Sequence, residues 1–469
     1  LLSSLQDTIP KIILPPYGQL HIISKLYILY TIPMKRLLGP NIVKIITTVI
    51  TAYIILGISL LIIAYGRGYR FNFRDKSVGS TGLITATSDP IGAFVSIDGK
   101  RYGATNTNIP VQPGWYEVTI AKDGYQPWSK KIRVQGEILA KADAMLFPSN
   151  PSLSAITTSG VVRPVLSPDG TKLAYNITPN PQATLSAIPL TKPGLYVLDL
   201  VDKPLGINRD ARQILAASIL DTQDASLTWS PDGKQILIET TATRTGLPQY
   251  YLVDSDRTNA VPTPVGVSEQ LTLEWDNQNA LIEHERLLPL KEDFINTATG
   301  SMQILSFSPD ELKILYEATA AATIPIIITP RKIGTNSTEE TRDILPGNLY
   351  VYDVKEDKNY NLGSAESYGV LTKKGLPQQQ KPLSTETQSP TKATSVPLQW
   401  LPTSRHLILA GSDKIDIMEY DGTNRTTVYA GPFEDGFVVP WTNASKLVIL
   451  TNLNPKVQTN ANLYTVNIR

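Results

Sequence analysis

Apolar and polar residues alternate along most of the chain after residue 150, and the alternating runs open on one recurring phrase. Ser167-Pro168-Asp169-Gly170 leads into Lys172-Leu173-Ala174-Tyr175, and Ser230-Pro231-Asp232-Gly233 into Lys234-Gln235-Ile236-Leu237-Ile238. An eroded copy, Ser308-Pro309-Asp310-Glu311, leads into Lys313-Ile314-Leu315-Tyr316. Proline presets φ for the second position of a turn, and Asp-Gly tolerates the left-handed corner that reverses the chain. Alternation after the turn predicts a half-buried strand. A hairpin repeated with the same chemistry predicts one supersecondary unit used several times.

Weaker copies extend the series. Leu271-Thr272-Leu273-Glu274-Trp275-Asp276 leads into Ala280-Leu281-Ile282, Trp400-Leu401-Pro402 into His406-Leu407-Ile408-Leu409, and Trp441-Thr442 into Lys446-Leu447-Val448-Ile449-Leu450. Leu166, Trp229, Trp275, Phe307, Trp400 and Trp441 each stand just before a turn, giving six candidate units. A second strand follows most of them and ends on an acidic residue, as in Leu195-Tyr196-Val197-Leu198-Asp199 and Leu349-Tyr350-Val351-Tyr352-Asp353. The long gap before Trp400 contains Lys373 to Pro397, rich in Lys, Gln, Pro, Ser and Thr, which predicts a disordered insertion. The short interval between Trp275 and Phe307 has no such explanation.

These units resemble the repeats of TolB-type propellers, also called WD40-like repeats, whose hallmark is a W/F-S-P-D-G-x-x-[IL] hairpin. The resemblance covers about Ser152 to Arg469. It implies a β-propeller, with six blades as the expected number.

A second pattern occupies Thr81 to Pro148. Ile84-Thr85-Ala86-Thr87, Phe94-Val95-Ser96-Ile97, Gly114 to Ile120 and Lys131-Ile132-Arg133-Val134 read as short strands, and Asp98-Gly99 as a tight hairpin. Strands this short, broken by Gly and Pro, predict a small all-β sandwich. Pro90-Ile91-Gly92-Ala93, Val95 to Gly99, Gly103-Ala104-Thr105 and Lys122-Asp123-Gly124-Tyr125 resemble the PEGA domain in order, with Ile91 where the family has Glu. The family motif is structural, so that change puts little in doubt. PEGA domains are typical of bacterial and archaeal surface proteins, and the resemblance supplies no ligand. Trp115, Tyr125 and Trp128 read as core aromatics, with an exposed ligand patch as the alternative.

Ile45 to Tyr65 contains no charged residue. Its length, ~32 Å as a helix, matches a hydrocarbon core of ~30 Å. Lys35, Arg36 and Lys44 flank one end, and Tyr53, Tyr65 and Tyr69 lie near the span. Met34-Lys35-Arg36 before an apolar run has the form of a signal-anchor, so Leu1 to Pro33 is expected to lie outside the natural protein. Ala64-Tyr65-Gly66 has the small-x-small form of a cleavage site, but the apolar run exceeds a signal peptide's ~7–15 residues. The expectation is an uncleaved anchor with residues 67–80 as a juxtamembrane linker, either laid on lipid headgroups or solvated. Basic residues are nearly balanced across the span. An extracytoplasmic C-terminus is taken from the start at Met34 and the surface habit of both resembled families.

The segmentation is therefore a tail over 1–40, a transmembrane helix over 41–66, the linker, a PEGA-like sandwich over 81–148 and a propeller over 149–469. Composition narrows the function. The chain has 469 residues and a net charge of +1, with no basic field for nucleic acid. It has no Cys, which removes disulfides, thiolate metal sites and Cys nucleophiles. The three His are His21, His284 and His406. Glu283-His284-Glu285 lacks the second His of a zinc-protease helix, because Leu288 stands four residues on, and it reads as a polar strand end. His406 reads as a turn or blade residue. No nucleophile elbow or phosphate-binding loop occurs. Asp169, Asp232 and Asp310 read as turn-formers.

The expected class is an all-β, membrane-anchored envelope protein without catalytic, cofactor or metal residues. Its partners would be the bilayer, through Ile45 to Tyr65, and a surface protein, peptide or polysaccharide of unassigned identity. The rival expectation is a propeller hydrolase or lyase with carboxylates and a metal on the axis. A third is a sensor signalling through the helix to a membrane partner.

Overall fold

The computed structural model describes residues 40–66, 69–72, 77–178, 192–202, 211–241, 246–266, 268–368, 398–434, 436–453 and 460–469. The expected insertion at Lys373 to Pro397 and the segment Leu1 to Pro33 lie outside them. The chain forms two compact units, residues 1–81 and 82–469.

The first unit contains helix α1, Pro40–Gly66, and an antiparallel pair of strands, Tyr69–Asn72 with Ser77–Ser80. Over Lys44–Ile63 the helix has a mean hydropathy of 2.5 and none of it is buried. It is long and apolar enough to span a membrane. Three of its threonines bond back to the helix: Thr47 and Thr48 donate to the Lys44 carbonyl, and Thr51 to that of Thr47, at 2.8–2.9 Å. A helix in lipid needs that economy, since no water is present to take unpaired groups.

The second unit starts with a β-sandwich. A three-stranded sheet orders Thr107–Val111, Gly82–Asp89 and Leu139–Met145; a four-stranded sheet orders Lys100–Ala104, Phe94–Ile97, Gly114–Ala121 and Trp128–Val134. Gly82–Asp89 alternates buried and half-buried residues throughout, and Ile84, Val95, Val118, Ile120 and Trp128 meet in the core. Asp98 and Gly99 take φ of 48° and 77°, the two positive values that a tight hairpin turn demands. Leu139–Met145 was not legible as a strand. Its buried side is Ala140, Ala142 and Ala144, residues with little strand preference, and pairing with Gly82–Asp89 in parallel register supplies what propensity does not.

Five four-stranded antiparallel sheets follow among the described residues. Sheet 1 contains Val162–Leu166, Lys172–Ile177, Gly194–Asp199 and Arg212–Ala216; sheet 2 contains Ser226–Trp229, Gln235–Thr241, Pro248–Asp254 and Thr263–Val265. Sheet 3 contains Met302–Phe307, Lys313–Ala318, Asn348–Asp353 and Lys358–Ser364; sheet 4 contains Leu398–Trp400, His406–Ala410, Lys414–Glu419 and Thr426–Ala430. Sheet 5 contains Val438–Pro440, Lys446–Thr451 and Asn462–Asn467, and is completed by Leu153–Ala155 from the start of the propeller. That shared sheet closes the ring.

The unit expected at Trp275 is not a strand hairpin. Helix α2, Ser268–Leu287, and helix α3, Glu292–Ser301, stand between sheets 2 and 3 in its place. No Pro or Gly interrupts Ser268 to Leu288, so nothing forces a turn. Glu269 in the first turn of α2, and His284 and Arg286 in the last, also suit the helix dipole. His284 is consequently an exposed helical residue rather than a strand end. The alternation Leu271, Leu273, Trp275 misled because only Trp275 of the three is fully buried. Helix α3 covers sheet 3 directly, with Phe294 stacked on Tyr352 at 4.3 Å.

Candidate functional site

The Ser-Pro-Asp-Gly turns are built alike. Ser167 Oγ donates to Asp169 Oδ1 at 2.6 Å and accepts from the Lys172 amide at 2.9 Å. Ser230 with Asp232, and Ser308 with Asp310, repeat both distances. Partial burial opposes ionisation of Asp169, but hydrogen bonds from Ser167 and Thr171 outweigh it and hold the carboxyl below its usual range. At Asp232 the Ser230 bond is the leading cause of the same lowering. These carboxylates brace turns, as their sequence context predicts.

In an up-and-down sheet the first and third turns lie at one end and the remaining connections at the other. The Ser-Pro-Asp hairpins therefore mark one end of the propeller. The lysines after them tie neighbouring units together: Lys172 Nζ reaches the Gly233 carbonyl at 3.2 Å and Asp256 at 2.9 Å, and Lys313 lies 5.0 Å from the Tyr420 ring centre.

The sandwich docks at this hairpin end, against sheet 4. Lys130 Nζ sits between Glu419, at 2.6 Å, and Asp421, at 2.5 Å. The three side chains are 11%, 6% and 0% exposed. The Trp128 indole also donates to Glu419. Asp421 takes further hydrogen bonds from Asn336, Thr338 and Thr423. Burial alone would raise the Asp421 carboxyl, but Lys130 and these donors pull it far below the carboxylate range. Burial likewise opposes charge on Lys130, and the two carboxylates overcome it and raise its pKa. Nearby, Arg405 bonds Asp143 at 2.5 Å, and Met145 and Phe147 enter the apolar joint between sheets 4 and 5.

His406 lies under this junction. Its ring is edge-on to Phe147 at 5.8 Å, and burial pushes its pKa down to about 4, so it is neutral at physiological pH. A strap over residues 324–342 completes the contact. It leaves the second strand of sheet 3 and is clamped by Asp357, which accepts from the amides of Ile327 and Ile328 and pairs with Arg342 at 3.1 Å. Ser337 on the strap accepts the Arg133 amide of the sandwich at 2.9 Å.

In two pairs of adjacent sheets, 1 with 2 and 4 with 5, the first strands meet directly. Trp229 Nε1 donates to the Val165 carbonyl at 3.1 Å, and Gln399 Nε2 to that of Val438 at 2.9 Å. The first strands of the five sheets read VRPVL, SLTW, MQILSF, LQW and VVP. They contain Arg163 and no Asp, Glu or His. Among the described residues, no three His, Asp or Glu gather into a group that would hold a metal ion.

Of the three aromatics singled out in the sandwich, Trp128 is buried, Tyr125 packs half-buried on the core and Trp115 is exposed. Lys130, Glu419 and Asp421 gave no signal in sequence, since about 290 residues separate Lys130 from its partners.

The PEGA domain model matches residues 81–150, so the sandwich is a PEGA domain. No curated protein matches the chain in sequence. Among solved structures the chain is similar to a protein described as TolB from Agrobacterium tumefaciens, at 14% identity and a TM-score of 0.18, over 64% of this chain and 76% of that one. TolB from Acinetobacter baumannii is similar at 12% identity and a TM-score of 0.19, over 82% of this chain and 63% of that one. An oligogalacturonate lyase in complex with manganese is similar at 12% identity and a TM-score of 0.18, over 75% of this chain and 74% of that one. The neighbours thus include TolB-type propellers and an enzyme, and the fold assignment rests on the sheets and their closure.

Proposed function

We propose that this chain is a non-catalytic, membrane-anchored envelope protein. Helix α1 is the anchor, the PEGA domain a stalk, and the propeller a surface for a protein, peptide or polysaccharide. The observation that carries this reading is the buried Lys130–Glu419–Asp421 junction. It commits the hairpin end of the propeller to the stalk. The opposite end, where connections between units gather, is left for a ligand, and such connections are where propellers and other scaffolds place their contacts. The first strands of the five sheets carry no Asp, Glu or His, which supports binding over hydrolysis.

Two measurements test the proposal. After carbonate washing the chain should stay in the membrane pellet, and protease added outside should digest the propeller. Release of a soluble chain beginning at Arg67 would make the helix a signal peptide. Titration with manganese or calcium in a calorimeter should give no site on the propeller. A stoichiometric site, with cleavage of an acidic polysaccharide, would return the enzyme reading.

A further inference from the structure

The outward face of the four-stranded PEGA sheet carries a pattern that the sandwich core does not require. Register places its residues in rows, because residues paired across strands share a face. Arg101, Ser96, Thr119 and Ser129 form one row; Glu117 faces Lys131, and Trp115 faces Arg133. Phe94, six residues' rise from Trp115, lies ~20 Å along the sheet from it. The charged groups on this face are Arg101, Lys131 and Arg133 against Glu117, with Asp98 at the strand end accepting the Glu117 amide at 2.9 Å, so cations still outnumber acids. The cations lie close to the aromatic rings: Arg101 is 3.8 Å from the Phe94 centre and Lys131 5.6 Å from that of Trp115. Phe94 and Trp115 are 42% and 51% exposed. Large aromatics held open among cations on a flat sheet match an interface of mixed apolar and anionic character.

We propose that this face docks on the anionic headgroup surface of the bilayer, a second membrane contact beside α1. The proposal rests on the anchor reading given above. Two arguments choose the occupant. The face has a cationic excess, which suits phosphate headgroups. The connecting chain, residues 67–81, also reaches at most ~50 Å when extended, and its strand pair shortens that reach. A tether of this length holds the sheet at an effective concentration of about millimolar at the membrane.

The reporter is built in. Of six tryptophans, Trp128, Trp229, Trp275, Trp400 and Trp441 are buried and Trp115 is exposed. The full chain is placed in nanodiscs of phosphatidylcholine, with or without phosphatidylglycerol, and quenched with acrylamide, which carries no charge. Quenching should fall about twofold or more in the anionic discs. The protection should vanish near 1 M salt, where the Debye length is ~3 Å, and in the triple variant Arg101→Gln, Lys131→Gln, Arg133→Gln. Trp115→Phe should remove the quenchable component. A chain that leaves the disc overturns the anchor, and this proposal with it. A chain that stays but quenches equally in both discs overturns the docking alone. Protection by soluble polyphosphate in neutral discs, with none from anionic lipid, assigns the face to a soluble polyanion and overturns the bilayer as its occupant.

Discussion

Replacing Lys130 with Met removes one charge from the stalk–propeller junction and keeps most of the side-chain volume. Glu419 and Asp421 are then left together at a site from which water is excluded. Losing one partner of a buried ion pair costs about 3–5 kcal/mol. Asp421 keeps donors from Asn336, Thr338 and Thr423, and Glu419 keeps those from Trp128 and Asn424. The expectation is therefore the lower end, about 3 kcal/mol near neutral pH. The sign with pH follows from the two shifts. Lys130 is raised, so its contribution is complete below the unfolded value of ~10.4 and is lost as pH rises through the folded one. Asp421 is depressed, so its contribution is complete above ~3.9 and is lost as pH falls through the folded value. The wild-type junction is thus intact between about pH 4 and about pH 10. In the variant, the penalty should shrink as pH falls towards ~4 and a carboxylate takes up a proton. Urea unfolding followed by tryptophan fluorescence measures the loss. Adding Glu419→Gln and Asp421→Asn to Lys130→Met should recover most of it. A loss below ~1 kcal/mol, the value of an exposed pair, would refute the argument.

Three further outcomes are expected. Glu137 takes a left-handed turn position with φ 63° and is exposed, so Glu137→Gly should stabilise by about 0.5–1 kcal/mol. Gly170→Ala should cost about 1 kcal/mol from backbone strain alone, since nothing lies within 4 Å of the added carbon. Opposite shifts in thermal midpoint check both, and unchanged midpoints would sink the turn argument. His406 is buried neutral, so its contribution is complete above its ordinary value of 6.5 and is lost as pH falls towards about 4. At ~1.4 kcal/mol per pKa unit the wild type should lose about 3 kcal/mol over that window. His406→Leu should lack that slope, and an identical slope in the two proteins would show that the imidazole does not titrate there.

What could be read in the sequence was local. Ser167-Pro168-Asp169-Gly170 and Asp98-Gly99 specify turns by their own chemistry, and both form as expected. The apolar run of α1 is a matter of length and charge. Leu271-Thr272-Leu273-Glu274-Trp275 failed because strand alternation and helix-forming composition coincide there, and only the absence of a turn residue separates them. The strand Leu139–Met145 failed because alanine signals burial weakly. The junction was hidden for a different reason. Lys130, Glu419 and Asp421 are ordinary surface residues until two distant segments meet.

Leu153–Ala155 has a mechanical consequence. A pull on the PEGA domain travels along the chain into this three-residue strand, which is the clasp of the ring. Were it the sole connection, tension would strip a short strand from the edge of sheet 5, and the circle would open under load. The sandwich, however, also grips sheet 4 through Lys130 and Arg405, and the strap through Ser337. Traction is thereby shared with sheets 3 and 4, neither of which borrows a strand from the other end of the propeller, and the clasp is shielded from it. Under the proposed function, with the chain tethered at one end and held at the other, the load would bypass its weakest stitch.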